Sequence, residues 1–389
     1  MIADIHYFFL TIKHKNVKAF VILVYQEYER ANHHDLWNIM ADITDDLFIV
    51  LNIPADYVVS RLKKKLCYRI ADAKKKPKQI KHNLYLGRFL FPIRHEIAPK
   101  IIYPYFRRLL WKYLNHNFPQ LADMEVDFLV YDPIWFQILL HSRKNIKFGY
   151  YLPDELRRRA SDDKPNKKKM AQDDIASRYA DAIYVASKAL QESRQKVNKH
   201  VYFTGNGADL NIAQKYLDVK SLTNTVAYIG NLRDWTDCKL MEGIISKRSD
   251  IDFYFVGTVE ENMRPFFEHL LNTYHNTFYF GKIGKDEIGF AYRRFKILFI
   301  PYRQNKFIQA SRPLKIVECV MCGTPAVTVP VSGYKECDFI RFAQDVEEFS
   351  SAFDELMKSG INTESVEYKE FCNQYSWQNI GRIIIESLN

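Results

Sequence analysis

The sequence lacks any long uninterrupted run of apolar residues. Its longest candidate, AFVILVY at residues 19–25, has the length of a β-strand, whereas a membrane-spanning helix needs roughly 18 to 20 apolar residues. We therefore expect no transmembrane helix. The N-terminal stretch MIADIHYFFLTIKHK has no basic segment ahead of an apolar core, and Asp4 comes early in it. A secretory signal peptide is not expected either.

Cysteines are few and widely separated, which argues against a disulfide framework. The six are Cys67, Cys238, Cys319, Cys322, Cys337 and Cys372. Such scattering is typical of proteins in a reducing compartment, so we expect a cytoplasmic protein. Cys319 and Cys322 form a Cys-x-x-Cys pair, but a structural zinc site needs four ligands and no second pair is spaced nearby. We predict that both are buried helix residues and that no metal is bound.

Apolar and aromatic residues, in contrast, are abundant. They make up 47% and 15% of the 389 residues. These fractions are sufficient for extensive hydrophobic cores and do not fit a disordered chain. The length predicts about two domains.

Positive charge is concentrated in the first half of the chain. Residues 1–200 hold 35 lysines and arginines against 22 acidic residues, whereas residues 201–389 hold 21 against 24. The excess is densest in RLKKKLCYRIADAKKKPKQIK at residues 61–81, which contains ten basic residues and a single acidic one, Asp72. Such a segment attracts polyanions, either nucleic acid or an anionic membrane surface. The alternative is a solvated basic loop with no specific partner.

Strand-like and helix-like segments alternate along the chain, which predicts parallel sheets wrapped by helices. In the second half the strand candidates are residues 225–230, 252–257, 277–282, 296–301 and 325–330. In the first half they are residues 19–25, 46–52, 127–132, 147–152 and 181–187. We predict an α/β protein with one domain at residues 1–203, a second at residues 204–365 and a closing helical segment at residues 366–389.

One stretch, SRPLKIVECVMCGTPAVTV at residues 311–329, places charged residues on a short helix between two strands. We expect this helix to begin around residues 311–313, with Ser311 as its N-cap and Pro313 in its first turn. Leu314, Val317 and Met321 recur at helical spacing and should pack on the sheet. A helix start beyond the carboxyl end of a parallel strand is where open α/β sheets bind anionic ligands.

Arg312, Lys315 and Glu318 recur every third residue on a different face of the same helix. Two cations near the helix start oppose the helix dipole unless an anion is bound there, which favours a diphosphate ligand. Glu318 is placed to accept hydrogen bonds from ribose hydroxyls. The alternative is a surface pair between Lys315 and Glu318, worth about a few tenths of a kcal/mol.

SRPLKIVECVMCGTPAVT resembles the donor-site motif of GT-B glycosyltransferases, in which a Pro-Leu-Lys-like entry precedes a Glu and a Gly-x-Pro turn. Three further segments are similar to that family in the same order: YADAIYVASKALQESRQKVNKHVYFTGNGADL, VAYIGNLRDWTDCKLMEGIISKRSDIDFYFVG and FYFGKIGKDEIGFAYRRFKILFIPY. The resemblance covers residues 175–335. It is strongest to bacterial polysaccharide enzymes of the teichuronic-acid and xanthan glucuronosyltransferase kind. It implies two Rossmann-like domains facing across a cleft, with the C-terminal helix crossing back to the first domain.

The resemblance also implies a donor site for a nucleotide sugar, with a UDP-sugar favoured and no metal cofactor. Lys315 and first-turn amides near Pro313 and Leu314 would contact the diphosphate, and Glu318 would hold the ribose. The backbone at Lys282 and Ile283 would read the base. The remaining residues of the implied site are Asn231, Arg233, Tyr302 and Arg312, and Trp235 is either a packing residue or a sugar platform.

The sequence departs from the retaining members of the family at two places. Ala310 occupies the position of their second Glu, eight residues before Glu318, and WTDCKLMEG replaces their Lys-Gly after the first strand. Inversion of the anomeric configuration is therefore expected, and inversion needs a base that deprotonates the acceptor hydroxyl. By its place after a strand in YYLPDELRR, Asp154 is the favoured base.

Three other residues compete with Asp154 for the role of base. They are Glu155, Asp132 and His34.

The basic N-terminal half would bind the acceptor, a saccharide or a sugar carried on a polyprenyl diphosphate. Residues 61–81 and the aromatic and basic residues 101–114 would then dock on an anionic membrane surface from the cytoplasmic side without spanning it. A nucleic-acid-binding protein is disfavoured because no such module is recognisable. A non-catalytic relative that keeps the fold as a binding or scaffold protein is the other alternative.

Overall fold

The computed structural model describes residues 17–24, 34–53, 76–89, 100–140, 142, 145–153, 155–157 and 164–389. The chain divides into two compact units. The first comprises Met1–Tyr151, Gln172–Ala182 and Ile385–Asn389, and the second comprises Leu152–Ala171 and Ile183–Ile384. Each sheet described below is built of strands connected by helices, as the alternating pattern predicts.

The first sheet has the strand order β3-β4-β2-β1-β5-β6-β7-β8. Its strands are β1 (Ala19–Val24), β2 (Leu47–Asn52), β3 (Lys78–Lys81), β4 (Leu84–Arg88), β5 (Val126–Val130), β6 (Phe148–Leu152), β7 (Ala182–Val185) and β8 (Val201–Phe203). Strand β1 is parallel to both neighbours, with Ala19 opposite Leu47 in β2 and Val126 in β5. The β3–β4 pair is antiparallel and lies at one edge. Strands β1 and β5 are buried along their whole length, as apolar strands covered on both faces should be.

The second sheet is entirely parallel and has the order β11-β10-β9-β12-β13-β14. Its strands are β9 (Thr225–Ile229), β10 (Asp252–Val256), β11 (Thr277–Gly281), β12 (Ile297–Ile300), β13 (Ala326–Thr328) and β14 (Ile340–Phe342). The two central strands, β9 and β12, are fully buried. The α/β fold class predicted from the sequence is confirmed.

The described residues contain fourteen α-helices, of which the last three follow the final strand, β14. They are α1 (His34–Ile43), α2 (Tyr103–Asn117), α3 (Ile134–Leu139), α4 (Lys167–Tyr179), α5 (Lys188–Gln195), α6 (Leu210–Gln214), α7 (Cys238–Lys247), α8 (Arg264–Thr273), α9 (Ile288–Arg294), α10 (Lys306–Ala310), α11 (Leu314–Met321), α12 (Val346–Ser359), α13 (Val366–Gln374) and α14 (Trp377–Leu388). The last residues of α14 are grouped with the first unit and its earlier turns with the second. Lys18 and Lys147 of the first unit both donate to the backbone oxygen of Leu388 near the end of this helix.

Candidate functional site

The order of the second sheet reverses between β9 and β12, because β10 and β11 lie on one side of this pair and β13 and β14 on the other. Loops that leave such a switch point diverge, and the gap beyond the strand ends is where open α/β sheets bind ligands. Here the two loops meet through an antiparallel bridge between Thr236 and Tyr302. The Arg303 amide also donates to the Trp235 carbonyl at 2.8 Å.

Helix α11 begins at Leu314, immediately beyond this point, and Pro313 is the residue at its N-cap. The expectation that Ser311 caps this helix is wrong. Ser311 instead ends α10, since its amide and its hydroxyl both donate to the Ile308 carbonyl at 2.9 and 2.7 Å. The physical reason is Pro313, because a residue before proline is disfavoured in the α conformation and a helix cannot readily start there.

The apolar side of α11 is buried in the core of the second unit. Five of its eight residues are buried, namely Ile316, Val317, Cys319, Val320 and Met321. Val317 and Met321 therefore pack as predicted, whereas Leu314 is only half-buried because it lies in the exposed first turn. Cys319 and Cys322 are buried as well, and burial raises the pKa of the Cys322 thiol to about 12. Both cysteines are therefore neutral core residues at neutral pH.

Lys315 points back across the first turn of α11 to the end of β9. Its Nζ atom lies 4.3 Å from the ring centroid of Tyr228 and 5.5 Å from that of Tyr302. Burial raises the pKa of both tyrosines, to about 12 for Tyr302, so both rings are neutral at physiological pH. Among the described residues no carboxylate lies within 4.0 Å of this ammonium, so the alternative surface pair with Glu318 is not formed. The Lys315 charge rests on aromatic faces, with no carboxylate partner in the described part of the chain.

Gly230 makes room for this lysine. It follows β9 directly, has a φ of +129°, and a Cβ atom added to it would lie 2.8 Å from the Lys315 Nζ. Neither Tyr228 nor Gly230 was predicted as a site residue. The signal that could have found them is YIGN, a tyrosine and a glycine at the carboxyl end of a central strand.

Glu318 is held by a buried tyrosine that the sequence analysis also missed. The hydroxyl of Tyr292 on α9 donates to the Glu318 Oε2 atom at 2.8 Å, and the Tyr292 side chain is 2% exposed. Burial beside Glu318 raises the pKa of Tyr292 well above its usual range, so it remains a donor at neutral pH. Tyr292 carries no recognisable pattern in IGFAYRRF, and only the fold brings it to Glu318.

The loop after β9 contains two further residues of the predicted site. Asn231 is exposed, its Oδ1 accepts from the Thr258 hydroxyl at 2.6 Å, and its carbonyl accepts from the Tyr228 hydroxyl at 3.0 Å. The Arg233 Nε lies 3.0 Å from the Glu260 Oε1, and its guanidinium lies 5.0 Å from the Trp235 ring. Both side chains stand at the carboxyl edge of the sheet, near the Lys315 end of β9.

Trp235 contacts Tyr302 edge to face at 6.4 Å and is half-buried. Both aromatic residues therefore help to join the loops after β9 and β12. These contacts agree with a packing role for Trp235, which was predicted to be either a packing residue or a sugar platform.

Lys282 and Ile283 follow β11, the edge strand of this sheet. Lys282 is exposed, and Ile283 is half-buried against the core. Strand β10 separates β11 from β9, and two strand spacings amount to about 10 Å. The two residues thus share the carboxyl edge of the sheet with Lys315 but lie to one side of it.

Arg312 is placed differently from the other charged residues of α11. Its side chain is 1% exposed, and its guanidinium donates to the backbone oxygens of Asn206 at 2.6 Å and Gly333 at 2.9 Å. It precedes the helix and is directed away from the Lys315 stripe into the interior of the second unit.

Residues 223–359, from just before β9 to the end of α12, match the family model described as "Glycosyl transferases group 1". This match spans Lys315, Glu318 and every other residue of the predicted donor site. This part of the chain is similar to group 1 glycosyltransferases. The predicted resemblance to GT-B glycosyltransferases and the prediction of a glycosyltransferase enzyme are confirmed. The particular likeness to teichuronic-acid and xanthan glucuronosyltransferase enzymes stays a prediction. A comparison with curated proteins found no match.

Solved structures similar to this glycosyltransferase are GT-B enzymes. Sucrose-phosphate synthase from Thermosynechococcus elongatus has a TM-score of 0.65 at 14% identity, covering 95% of this chain and 98% of that one. HepE from Anabaena, in complex with UDP and glucose, has a TM-score of 0.64 at 14% identity, with the same coverage. TarM from S. aureus, in a complex that includes UDP, has a TM-score of 0.62 at 9% identity, covering 96% and 100%. These likenesses confirm the GT-B fold.

The favoured catalytic base of this glycosyltransferase, Asp154, lies outside the described residues, as does the side chain of its competitor His34. The other competitors are engaged in local contacts. The Glu155 carboxylate accepts from the Arg157 amide at 2.7 Å and lies 3.6 Å from the buried Arg194 guanidinium. Asp132 accepts from the amide of Ile134 at 3.1 Å, at the start of α3. Both arrangements are typical of carboxylates that stabilise local structure.

Within the described residues, no group of three or more His, Cys, Asp or Glu side chains is arranged to hold a metal ion. In the same part of the chain, no helix is long and apolar enough to cross a membrane.

Proposed function

We propose that this glycosyltransferase moves a sugar from a UDP-sugar to a saccharide or lipid-linked acceptor in cell-surface polysaccharide biosynthesis, with inversion at the anomeric carbon. The observation that carries the donor part is the position of Lys315. An ammonium without a carboxylate partner in the described structure rests on two neutral tyrosines at the switch point of the sheet. An anionic ligand such as a diphosphate would supply the missing counter-charge.

The donor's diphosphate would lie between the Lys315 ammonium and the first free amides of α11, those of Leu314 and Lys315, directly after Pro313. HepE has been solved with UDP and with UDP-glucose, which supports UDP as the nucleotide. Glu318, fixed by Tyr292, would accept hydrogen bonds from the ribose hydroxyls.

The remaining predicted residues would surround the same ligand. The backbone at Lys282 and Ile283, on the β11 side of the sheet, would contact the base. Tyr302 would line the pocket, and Asn231 and Arg233 would approach the phosphates or the sugar from the loop after β9.

In the proposed transfer, Asp154 accepts the proton of the acceptor hydroxyl. The acceptor oxygen forms a bond to the anomeric carbon as the bond from that carbon to the diphosphate oxygen breaks, and UDP leaves with the electron pair. Lys315 and the α11 amides would stabilise the negative charge that develops on the leaving diphosphate. This charge stabilisation would suffice for a metal-independent reaction. Ala310 has no carboxylate to attack the sugar from the other side, in agreement with inversion.

Titration calorimetry of UDP, GDP and dTDP without added metal tests the donor site. We expect UDP to bind best, and Lys315→Ala to weaken its binding by about tenfold or more, a loss of about 1.4 kcal/mol. Lys358→Ala is the matched control, because Lys358 is exposed on α12 and should leave the affinity unchanged. Failure of all three nucleotides to bind would favour a non-catalytic scaffold protein instead.

Asp154→Asn tests the proposed base. The variant should lose turnover by about 100-fold or more, since general-base catalysis contributes about that much, while its UDP affinity stays at the wild-type value. Glu155→Gln is the matched control for loss of a neighbouring carboxylate. NMR of the product should show the anomeric configuration opposite to that of the donor. A product with retained configuration would rule out the single-displacement mechanism and Asp154 as its base.

The acceptor part of the proposal rests on α2 in the first unit. This helix has no acidic residue, and Ile101, two residues before it, and Tyr105, in its first turn, are 85% and 53% exposed. Arg108 and Lys112 lie on the same exposed side. A groove of about 570 Å³ runs beside these residues, lined also by Trp111. Apolar and basic groups exposed together favour an anionic membrane surface, where a polyprenyl-linked acceptor would be found.

The basic segment at residues 61–81 would extend this surface. Its residues 61–75 lie outside the described part of the chain, and residues 78–81 form the edge strand β3. In this proposal the enzyme works on the cytoplasmic face of the membrane.

A further inference from the structure

A network of side chains surrounds the peptide groups that lead into α11. The Arg312 guanidinium lies 3.9 Å from the ring centroid of Tyr375 and 4.3 Å from that of Tyr334. It also donates to the carbonyls of Asn206 and Gly333. A planar guanidinium suits such a site, because it can stack on aromatic faces and donate in its own plane at the same time.

The same network holds both carbonyl groups that precede the helix. The Asn206 Nδ2 donates to the carbonyl oxygen of Arg312 at 2.8 Å, and the Tyr334 hydroxyl donates to that of Pro313 at 2.8 Å. Asn206 and Arg312 thus bind each other reciprocally, each side chain to the backbone of the other residue.

The backbone around Arg312 is closely fitted to it. A Cβ atom added to Gly205, which has a φ of +72°, would lie 2.2 Å from the Arg312 Nη1. One added to Gly333 would lie 2.4 Å from the Arg312 Cγ. No larger residue fits at either position without displacing the guanidinium, so two glycines and one arginine define the geometry together.

Fixing the Pro313 carbonyl also fixes the Leu314 amide. The C=O of one residue and the N–H of the next share a planar trans peptide unit and point in opposite directions. The first amides of a helix have no acceptor within the helix, and those of Leu314 and Lys315 are in this position. The Pro313 carbonyl also accepts from the Ile316 amide at 3.1 Å, and the Tyr334 hydroxyl adds a second hydrogen bond that helps to fix where the Leu314 N–H points.

We propose that Arg312, Asn206 and Tyr334 are positioning residues of the donor site. They act without touching the donor, by holding the Arg312 and Pro313 carbonyls so that the Leu314 amide and Lys315 converge on the donor's diphosphate. This inference rests on the proposed function. It assigns Arg312 an indirect role in diphosphate binding, in place of the direct contact that its spacing in the sequence indicates.

Tyr334→Phe tests the network with the loss of one oxygen atom. Its UDP affinity should fall about three- to tenfold, the range expected for one hydrogen bond, while its UMP affinity changes much less, because UMP lacks the second phosphate. Tyr368→Phe is the matched control. It removes an equivalent hydrogen bond, from Tyr368 to the Met321 carbonyl at 2.7 Å, at the opposite end of the same helix. The control should lower the melting temperature without changing the ratio of UDP to UMP affinity.

Chemical rescue tests Arg312 itself. Arg312→Ala should bind UDP weakly, and millimolar guanidinium should restore the affinity by filling the space between Tyr334 and Tyr375, whereas sodium chloride at equal strength should not. If the wild type binds UDP and Tyr334→Phe keeps the wild-type UDP to UMP ratio, the positioning role is wrong and the donor site stands. If the wild type binds neither nucleotide, the proposed function and this inference both fail.

Discussion

A single glycine decides where the Lys315 ammonium can lie. Gly230 sits between the end of β9 and the loop after it, and a Cβ atom there would lie 2.8 Å from the Lys315 Nζ, so the ammonium would have to move. Its φ of +129° is a second reason for glycine, since other residues rarely adopt such a conformation. The close approach of Lys315 and the positive φ thus both require glycine beside the proposed phosphate-binding site.

Gly230→Ala should therefore weaken UDP binding by about tenfold or more, because the added methyl group displaces the charge that binds the diphosphate. Gly360→Ala is the matched control. Gly360 also has a positive φ, of +64°, but the nearest atom to its added Cβ would be at 3.6 Å, an ordinary contact. Both variants should lose stability from backbone strain, about 1–2 kcal/mol. Calorimetry separates the effects, and equal UDP affinities for the two variants would contradict the role given to Gly230.

At the scale of secondary-structure elements, the sequence predicted strands where apolar runs were continuous. The ten strand candidates all correspond to observed strands, from β1 at Ala19–Val24 to β13 at Ala326–Thr328. Such strands are covered by helices on both faces, so their composition alone identifies them.

Four strands were missed: β3, β4, β8 and β14. Strand β4, LYLGR, contains a glycine and an arginine, and only its first residue is buried. Strand β3, KQIK, lies in the basic segment. Three of its four residues are polar or charged on either side of Ile80, so it has no apolar run that would predict a strand. Lysine is common on edge strands, since it discourages pairing with other chains, and Lys81 additionally pairs with Asp42 at 2.6 Å. Strands β8 and β14 have three residues each, too few for a pattern.

The contacts within the proposed donor site were predictable only in part, for a related reason. Lys315 and Glu318 share one helix, so their spacing in the sequence was informative. Their partners come from distant segments: Tyr228 from β9, Tyr292 from α9, and Tyr334 from the loop after β13. Contacts at separations of about 20 to 90 residues depend on the completed sheet. No local pattern could have indicated them.

At the scale of the whole molecule, the uneven charge distribution places the proposed membrane-binding surface and the proposed donor site in different halves of the sequence. The half with the excess of basic residues, 35 against 22, carries α2 and residues 61–81, while the acidic half carries the proposed donor site. Each basic residue near an anionic bilayer contributes about 1 kcal/mol, so a few exposed cations on α2 can hold the protein at a membrane. The exposed Ile101 and Tyr105 would enter the interface between them.

Sedimentation with vesicles tests this arrangement. The protein should pellet with phosphatidylcholine vesicles that contain phosphatidylglycerol, pellet much less with phosphatidylcholine alone, and be released at high salt because the Debye length shortens. Tyr105→Ser should reduce binding severalfold. Tyr179→Ser is the matched control, because Tyr179 on α4 is exposed to a similar extent, 57% against 53%. Equal sedimentation with charged and neutral vesicles would show that α2 does not bind anionic membranes, and the groove beside it would then be tested with soluble saccharide acceptors.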